Sequence, residues 1–450
     1  MTRADSSGLG PFLQPMAHVR SALIDPPVLV ERGEGVHVID VEGRRLVDGL
    51  GGLWNVNLGH SCEPVKEAIR RQLEQLPYYN SFKGCSHPGV IRLSNQLISL
   101  LQPEGMARVF FNSGGSDAVE TALKIARQYW KLAGEPGRTK FIALKQGYHG
   151  VHFGGASLTG INVFQLAFEP MLPGCFHIDS PWLYRNAHTN DPEELGKVVA
   201  AQLEREILAQ GVGTVAAFIA EPVQGAGGVI VPPENFWPLA REVCTRHGVL
   251  MIADEVVTGF GRTGAMTGSR GWGVKPDIMC FAKGITSGYV PFGATAVNAR
   301  IAGTFEQAPP DVGYLMHGYT YSGHPLGVAA AIAALGQVVE QEIPAKAAAR
   351  GRYFLERLKP FEQRFAAVGE VRGKGLMLCL DLVTDKRTRQ PVTPESRFTE
   401  SIARETAQRG ALVRAVGHNI ILSPPLIIEE AQIDVIVTAL AGALDTVALS

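Results

Sequence analysis

A lysine and an aspartate follow two short apolar runs in the stretch that covers residues 248–284. The first run, residues 249–253, is followed by Asp254 and Glu255, and the second, residues 278–282, is followed by Lys283. Each run has the length and composition of a β-strand that is buried on both faces. Because ligands bind at the carboxyl ends of the strands in an open parallel sheet, we expect the carboxylate and the amine in one crevice.

An amine and a carboxylate in one crevice are the groups that pyridoxal phosphate requires. The cofactor needs a lysine for its Schiff base and a carboxylate that keeps its pyridine nitrogen protonated. The alternative is that Lys283 is a solvated surface charge and that Asp254 and Glu255 only begin a turn. Motifs elsewhere in the chain bear on this choice.

A third feature, residues 108–127, suits the binding of an anion. The pattern predicts a strand, a turn with the sequence NSGGSDA at residues 112–118, and an amphipathic helix from about Ser116 to Lys131. Free backbone N–H groups and the positive end of the helix dipole would meet at this turn. The turn is neither a Walker loop nor a dinucleotide-binding GxGxxG. Simple N-capping by Ser116 is the alternative.

The composition excludes some classes of partner. Of 450 residues, 46% are hydrophobic and 19% are charged, and the formal net charge is −1. Such a chain has no excess of positive charge to attract nucleic acid or a membrane surface, so we expect neither as a partner. No apolar run approaches the ~18 residues of a membrane span, and the N-terminus lacks the apolar core of a signal peptide.

The cysteines indicate a reducing environment. The chain has 6 of them, scattered without a Cys-x-x-Cys pair, and they are Cys62, Cys85, Cys175, Cys244, Cys280 and Cys379. This spacing predicts neither a disulfide framework nor a zinc site, and we expect no metal. We therefore expect a cytoplasmic protein.

The chain is long enough to favour more than one domain. Strands alternate with helices across residues 105–300, which predicts an α/β fold with a mostly parallel, doubly wound sheet. After Pro344 the pattern favours a smaller α+β domain, with strands near residues 412–414 and 420–423. We assign residues 1–56 to an N-terminal arm and part of the small domain, 57–325 to the large cofactor-binding domain, and 326–450 to the C-terminal small domain.

The first 56 residues are predicted in more detail. Residues 1–30 contain several prolines and suggest an arm with one short helix. Residues 36–40 and 45–48 have the pattern of a small hairpin that turns at Glu42 and Gly43.

Further motifs occur along the chain. They are NSGGSDA (112–118), YHG (148–150), EPVQG (221–225), DEVVTGFGR (254–262) with KG (283–284), and YTYSGHP (319–325). Together they resemble the class III, fold-type-I pyridoxal-phosphate aminotransferases, in that family's order and over nearly the whole chain. DEVVTGFGR is the most specific of them. The resemblance favours the cofactor interpretation of Lys283 and Asp254.

The resemblance implies a role for several residues around the cofactor ring. Lys283 would form the Schiff base and later move the proton between the substrate Cα and the cofactor C4′. Asp254 would pair with the pyridine N–H, with Tyr148 stacked on one face of the ring and Val256 packed on the other. Glu221 would lie behind the ring, near its hydroxyl group and Asp254.

The resemblance also implies an assembly. Gly115 and Ser116 would bind the cofactor phosphate, and Thr320 would reach it from a second subunit. A homodimer with shared active sites would then be obligatory, and dimers could pair further into tetramers.

Within the family, the chain is most similar to the ω-amino acid:pyruvate and amine:pyruvate transaminases. Ala226 stands where GABA- and ornithine-type members usually carry Glu, which leaves a more apolar pocket. Arg414, within LVRAVG at residues 412–417, matches the mobile arginine of this subgroup. It would clamp the carboxylate of pyruvate or alanine through paired hydrogen bonds. It should swing outward for an apolar amine, because an unpaired buried guanidinium is costly. The alternative is an ordinary surface cation.

Trp54, Phe82 and Val151 match pocket-lining positions of the same subgroup. Trp54 would form a wall of the large pocket, or alternatively it is an aromatic residue of the dimer interface. Lys83 stands where an aromatic residue is common, which suggests tolerance of acidic or longer substrates. Ala415 replaces a frequent proline, which suggests a more mobile Arg414 loop.

The expected reaction is transfer of an amino group from an ω-amino acid or primary amine to pyruvate in a ping-pong cycle. A diamine (putrescine-type) or taurine transaminase with pyruvate as acceptor is the alternative. A racemase or aminomutase would act without a keto acid. Intact Lys283 and Asp254 argue against a protein that keeps the fold without activity.

Overall fold

Three strands near the N-terminus form a small antiparallel sheet. The computed structural model describes residues 12–18, 20 and 26–448, and its first strands are β1 (Val30–Glu34), β2 (His37–Asp40) and β3 (Arg45–Asp48). Asp40 Oδ1 accepts hydrogen bonds from the backbone N–H groups of Glu42 (3.0 Å) and Arg44 (2.9 Å), which closes the β2–β3 turn. The predicted hairpin is therefore confirmed, whereas β1 was not predicted. The short helix predicted before residue 30 lies largely outside the described residues.

A seven-stranded sheet forms the centre of the large domain. Its strands are β4 (Met106–Asn112), β5 (Lys140–Leu144), β6 (Cys175–Ile178), β7 (Val215–Ala220), β8 (Leu250–Asp254), β9 (Ile278–Phe281) and β10 (Gly293–Asn298). Their order across the sheet is β4-β10-β9-β8-β7-β5-β6. All neighbours pair in parallel except β10, which is antiparallel to both β4 and β9. The predicted mostly parallel sheet is confirmed.

The two apolar runs of the sequence are neighbouring strands at the middle of this sheet. Every residue of β8 and β9 is buried. Their register pairs Asp254 with Cys280, so that Asp254 and Lys283 follow adjacent strands at the same edge of the sheet. This confirms the crevice that the sequence predicts.

Helices pack on both faces of the central sheet and against the region before it. The α-helices of this part of the chain are Gly51–Trp54, Glu63–Gln75, Pro88–Leu100, Gly115–Leu132, Phe153–Leu158, Pro192–Gln210, Phe236–Arg246, Gly268–Gly271, Ala299–Gln307 and Pro325–Glu340. Single turns of 3₁₀-helix occur at Gln102–Glu104, Asn162–Phe164, Leu183–Arg185, Val212–Thr214 and Lys283–Thr286. Gly51–Trp54 contains non-helical backbone at Gly52 and Leu53, so it is a kinked turn and not a regular helix.

The C-terminal part of the chain forms a third sheet with its own helices. The strands of this part are β11 (Val368–Lys374), β12 (Met377–Asp385), β13 (Gln390–Pro391), β14 (Ala411–Leu412), β15 (Arg414–Val416) and β16 (Asn419–Leu422), of which β14 belongs to the N-terminal sheet. Its helices are Ile343–Leu358, Phe361–Arg364, Phe398–Gln408 and Glu430–Thr446, with a 3₁₀ turn at Pro394–Ser396. The sheet order is β11-β12-β16-β15, and β13 pairs with β12.

The predicted strand near residues 412–414 is divided between two sheets. Ala411 and Leu412 (β14) pair in parallel with β3, whereas Arg414 begins β15 and pairs with β16. The β14–β3 pairing joins the N-terminal strands to the C-terminal part of the chain, which agrees with a small domain built from both ends. The domain boundaries themselves stay a prediction.

Two charged residues of DEVVTGFGR are buried and stabilise the fold around the crevice. Glu255 accepts hydrogen bonds from the N–H groups of Gly268 and Ser269, each at 2.7 Å. Arg262 donates to Asn57 Oδ1 at 2.8 Å and to the backbone carbonyl of Leu376 at 3.2 Å, and burial lowers its pKa to about 9. Arg262 therefore ties the chain beyond β8 to the C-terminal sheet.

No single helix in the described residues is long and apolar enough to cross a membrane. One pair of consecutive helical segments, Pro325–Glu340 and Ile343–Arg364, is long and apolar enough when the two are taken together, but the pair is bent by 64°.

Candidate active site

A cavity at the carboxyl ends of β8 and β9 brings together most of the predicted site residues. Those that line it are Trp54, Gly115, Ser116, Tyr148, Glu221, Ala226, Asp254, Val256, Lys283 and Arg414. They come from the kinked turn after β3, the start of the helix after β4, the loops after β5, β7 and β8, the turn after β9, and β15. The cavity thus lies where the large domain meets the C-terminal sheet.

Lys283 begins the turn that follows β9. Its backbone lies in the left-handed region, with φ of +46°, a conformation that a side chain other than glycine adopts at a cost. Burial lowers the pKa of its amine, while the nearby carboxylates of Asp254 and Glu221 act in the opposite direction. A lowered amine pKa increases the neutral fraction that can attack an aldehyde carbon.

Asp254 is held by a histidine that the sequence analysis quoted but gave no role. His149 Nδ1 lies 2.8 Å from Asp254 Oδ2, and the two residues are only 1% and 4% exposed. The other carboxylate oxygen accepts the N–H of Val256 at 3.2 Å. His149 Nε2 is buried without a hydrogen-bond partner among the described residues. A neutral ring that donates from Nδ1 fits this arrangement, since an imidazolium would leave a buried N–H unpaired.

Glu221 fixes the backbone on two sides of the cavity. One carboxylate oxygen accepts the N–H of Tyr148 and the other accepts the N–H of Gly225, each at 2.8 Å. Burial raises the pKa of Glu221 to about 7; the Asp254 carboxylate also raises this pKa, and His149 lowers it. Glu221 therefore links the loop that carries Tyr148 to the loop that carries Gly225, and its predicted place near the cofactor ring stays a prediction.

The helix Gly115–Leu132 begins at the cavity, and no side chain of the described residues caps its first N–H groups. Ser116 does not cap it, because its Oγ accepts the N–H of Val151 at 3.1 Å. A Cβ at Gly115 would lie 2.9 Å from Val256 Cγ1, so only glycine allows this close approach. The Asp117 carboxylate turns away toward the N–H of Ser113 (3.1 Å) and the ring of His152 (2.7 Å). The N-terminus therefore remains suited to a phosphate group.

Arg414 enters the cavity from β15 and is half-buried. Burial lowers the pKa of its guanidinium, and Tyr148 acts in the opposite direction. Within residues 12–18, 20 and 26–448, no carboxylate forms an ion pair with it. These observations disfavour the alternative of a solvated surface cation.

Aromatic rings form the walls of the cavity. Trp54 is 4% exposed and lines the cavity directly, and its role as a wall of the substrate pocket stays a prediction. The ring of Tyr148 lies 5.1 Å from that of Phe164, at an interplanar angle of 61°. The tyrosine ring is thereby held against a second aromatic residue from the next loop.

Three predicted residues do not line the cavity of a single chain. Phe82 and Val151 are 50% and 58% exposed, and Thr320 is also exposed. The carbonyl oxygen of Thr320 accepts the hydroxyl of Tyr78 at 2.7 Å. Lys83 is at the surface as well, with its amine 2.9 Å from the hydroxyl of Tyr314. The roles of these residues in a pocket stay predictions.

Sequence reasoning missed several residues that line the cavity. These are Met16, Leu53, Val119, His149, Gly150, Phe164 and Val257. His149 and Gly150 belong to the YHG motif, so the sequence did contain a motif that indicates their place beside Tyr148. Phe164 ends a single 3₁₀ turn and Met16 lies in a turn near the N-terminus, and neither segment is long enough for a periodic pattern to indicate which side chain faces the cavity.

Comparisons with known proteins identify the family. The model of the family described as "Aminotransferase class-III" matches residues 20–444. The chain is a class-III aminotransferase. The aminotransferase superposes with a TM-score of 0.96 on an amine transaminase from an uncultivated Pseudomonas species in its PLP-bound form; the two are 53% identical, over 97% of this chain and 99% of that one.

Two further relatives support the assignment. A thermostable (S)-enantioselective omega-transaminase from Thermomicrobium roseum gives a TM-score of 0.93 at 42% identity, over 97% of this chain and 96% of that chain. The putrescine--pyruvate aminotransferase of Pseudomonas aeruginosa PAO1 is 41% identical to this aminotransferase, over 93% of this chain and 91% of its own length.

The aminotransferase depends on pyridoxal phosphate, and the residues of the cavity fit this group. Lys283 would supply the amine, Asp254 with its histidine would supply a fixed carboxylate, and the start of the helix at Gly115 would supply N–H groups for the phosphate. The predicted fold and enzyme class are therefore confirmed.

Proposed function

We propose that this enzyme transfers an amino group from an ω-amino acid or an apolar primary amine to pyruvate. One observation carries the proposal: Arg414 faces the cavity without a carboxylate partner. Among the described residues, Lys283 and Arg414 are the only cations that line the cavity. Since Lys283 is required for the cofactor, one guanidinium remains for one carboxylate, which suits pyruvate.

When bound, pyridoxal phosphate supplies an electron-accepting ring on which an amino group can be exchanged. Lys283 would hold the group, and the lowered pKa of its amine suits it to accept the proton of the substrate Cα. Asp254, whose carboxylate His149 holds in place, would keep the pyridine nitrogen protonated.

Tyr148 and Glu221 restrict the position of the ring. The bond from the Tyr148 N–H to Glu221 fixes the backbone that carries the tyrosine ring. A side chain held in this way orients a flat group without needing to reorganise during the reaction.

Arg414 would serve the two halves of the reaction differently. Pyruvate and alanine present a carboxylate that pairs with the guanidinium. An apolar amine presents none, so Arg414 would turn outward to avoid a buried, unpaired charge. Ala226 and Trp54 then leave an apolar space for the amine side chain.

A diamine donor is the second candidate, because the Pseudomonas aeruginosa relative is a putrescine--pyruvate aminotransferase by name. A diamine needs a carboxylate for its distal ammonium. The carboxylates that line the cavity of the described chain are Glu221 and Asp254, and both already accept hydrogen bonds from the protein. This favours an apolar donor over a diamine or taurine.

The enzyme would act as a homodimer. The exposed segment that contains Thr320 also exposes large apolar side chains, namely Tyr314 (49%), Met316 (89%) and Tyr321 (57%). A second copy that covers this segment would bury them and could bring Thr320 and Phe82 to a neighbouring cavity.

A panel of amine donors with pyruvate as acceptor tests the proposal. We expect alanine formation from arylalkyl amines and ω-amino acids, with lower kcat/KM for putrescine and taurine. Turnover of putrescine alone, or turnover of an amino acid without any keto acid, would contradict the proposal.

A further inference from the structure

A buried arginine outside the cavity contacts both the wall that carries Ala226 and the hairpin that carries Arg414. Arg372 lies on β11 and is 9% exposed. Its Nε and Nη2 both donate to the backbone carbonyl of Gly228, at 2.9 and 2.6 Å. Its Nη2 also donates to Asn419 Oδ1 at 2.9 Å.

The carbonyl of Gly228 belongs to the loop that forms one side of the cavity. Gly228 lies two residues after Ala226, and its N–H donates to the carbonyl of Gly225 at 3.0 Å. Gly228 has φ of +114°, and a Cβ there would lie 3.0 Å from Arg372 Nη2. The loop is therefore shaped to bring this carbonyl onto the guanidinium.

Asn419 belongs to the hairpin that carries Arg414. It begins β16 and pairs with Val416 at the end of β15, while Arg414 at the start of β15 pairs with Ile421. A displacement of Asn419 would therefore shift the strand from which Arg414 projects. One guanidinium thus joins the backbone of the loop after Ala226 to the Asn419 side chain of the hairpin that carries Arg414.

The bonds to Gly228 are additional to the charge pairing of Arg372. Its Nη1 donates to Asp381 Oδ2 (3.0 Å) and to Glu370 Oε2 (2.7 Å). Asp381 is fully buried and also receives Arg185, whose Nε lies 3.0 Å from Oδ2. Asp381 thus keeps a cationic partner if Arg372 is replaced, so the fold can tolerate a substitution at residue 372.

We propose that Arg372 is a positioning residue that sets the separation of Ala226 and Arg414, and thereby the preference for an acceptor with a carboxylate. This inference rests on the proposed role of Arg414 in binding pyruvate. Small displacements of a binding group have large effects on a bidentate contact, and an acceptor without a carboxylate does not use that contact.

The test compares Arg372→Lys with Arg185→Lys in the holoenzyme. Lysine at 372 keeps the charge beside Asp381 and Glu370, but a single ammonium cannot hold Gly228 and Asn419 in the same geometry. We expect the KM for pyruvate to rise roughly 10-fold with a much smaller change in kcat, and little change for an uncharged aldehyde acceptor. Arg185 contacts the same Asp381 but not Gly228. In Arg185→Lys, the ratio of kcat/KM for pyruvate to kcat/KM for the aldehyde should therefore match that of the wild type.

Asn419→Ala is the second variant, since it removes only the hairpin side of the bridge. Asn419→Ala should lower kcat/KM for pyruvate relative to the aldehyde, as Arg372→Lys does, but by a smaller factor. If Arg372→Lys does not fold, this variant alone tests whether the bridge positions Arg414. Parallel losses for both acceptors, or an equal shift in Arg185→Lys, would overturn the inference. A wild-type enzyme that does not accept pyruvate would instead contradict the proposed function.

Discussion

His149 donates to Asp254 across 2.8 Å, and both side chains are almost completely buried. We predict that His149→Phe retains the cofactor but lowers kcat roughly 10- to 100-fold, because a hydrogen bond to a buried charge contributes about 1.5–3 kcal/mol. Steady-state kinetics with a saturating amine would measure this. The matched control is His152→Phe, which removes a partner of Asp117 outside the cavity. Equal losses in both variants would show that the His149 effect is not specific to Asp254.

Arg414→Ala should separate the two substrate classes. We expect kcat/KM for pyruvate and alanine to fall roughly 100-fold, because a charge-assisted, paired hydrogen bond is lost. An apolar amine should still convert the cofactor in a single-turnover half-reaction, since it makes no use of the guanidinium. A similar loss for the apolar amine would mean that Arg414 only maintains the structure.

Gly115→Ala should weaken cofactor binding. The new Cβ would lie 2.9 Å from Val256 Cγ1, so the helix start or Val256 must shift where the phosphate and ring are held. The matched control is Gly114→Ala, because a Cβ at Gly114 meets no protein atom within 4 Å in the described residues. We expect the Kd for pyridoxal phosphate, measured by titration of the apoenzyme, to rise at least roughly 10-fold more in the first variant. Equal Kd values in the two variants would contradict the proposed phosphate-binding role of the helix start at Gly115.

Glu221 should make the stability of the cofactor-free enzyme depend on pH. Its pKa in the folded state is raised to about 7 from 4.5, so the folded state holds a proton that the unfolded state has released between these values. The free energy of unfolding should therefore fall as the pH rises from about 4.5 to 7, by roughly 3 kcal/mol in total, at about 1.4 kcal/mol for each pKa unit.

Glu221→Gln provides the comparison for this prediction. Between pH 5 and pH 8, the free energy of unfolding measured with urea should decrease less in the variant than in the wild type. An identical decrease in both proteins would mean that Glu221 does not titrate in this range.

Sequence reasoning was most successful where a local pattern determines the structure. The runs before Asp254 and Lys283 are apolar throughout, which is the mark of strands buried on both faces, and both strands were found. The turn before the helix at Gly115 could likewise be predicted, because its glycines and the following helix are adjacent in sequence, whereas the sequence left open whether Ser116 caps that helix. These local features also indicated the cofactor.

Contacts between distant segments could not be predicted in the same way. The direction of β10 depends on its pairing with β4 and β9, and residues 411–416 divide between two sheets because each half has a different partner. The pairing of Arg372 with Gly228 joins positions 144 residues apart. No periodicity in the chain predicts such a contact.

The choice of keto acid most directly tests the central claim, that Arg414 is the one cation reserved for a substrate carboxylate. We predict that kcat/KM for pyruvate exceeds that for 2-oxoglutarate by at least roughly 10-fold with the same apolar amine donor, because the second carboxylate of 2-oxoglutarate would be buried without a partner. Equal or faster reaction with 2-oxoglutarate would contradict this account.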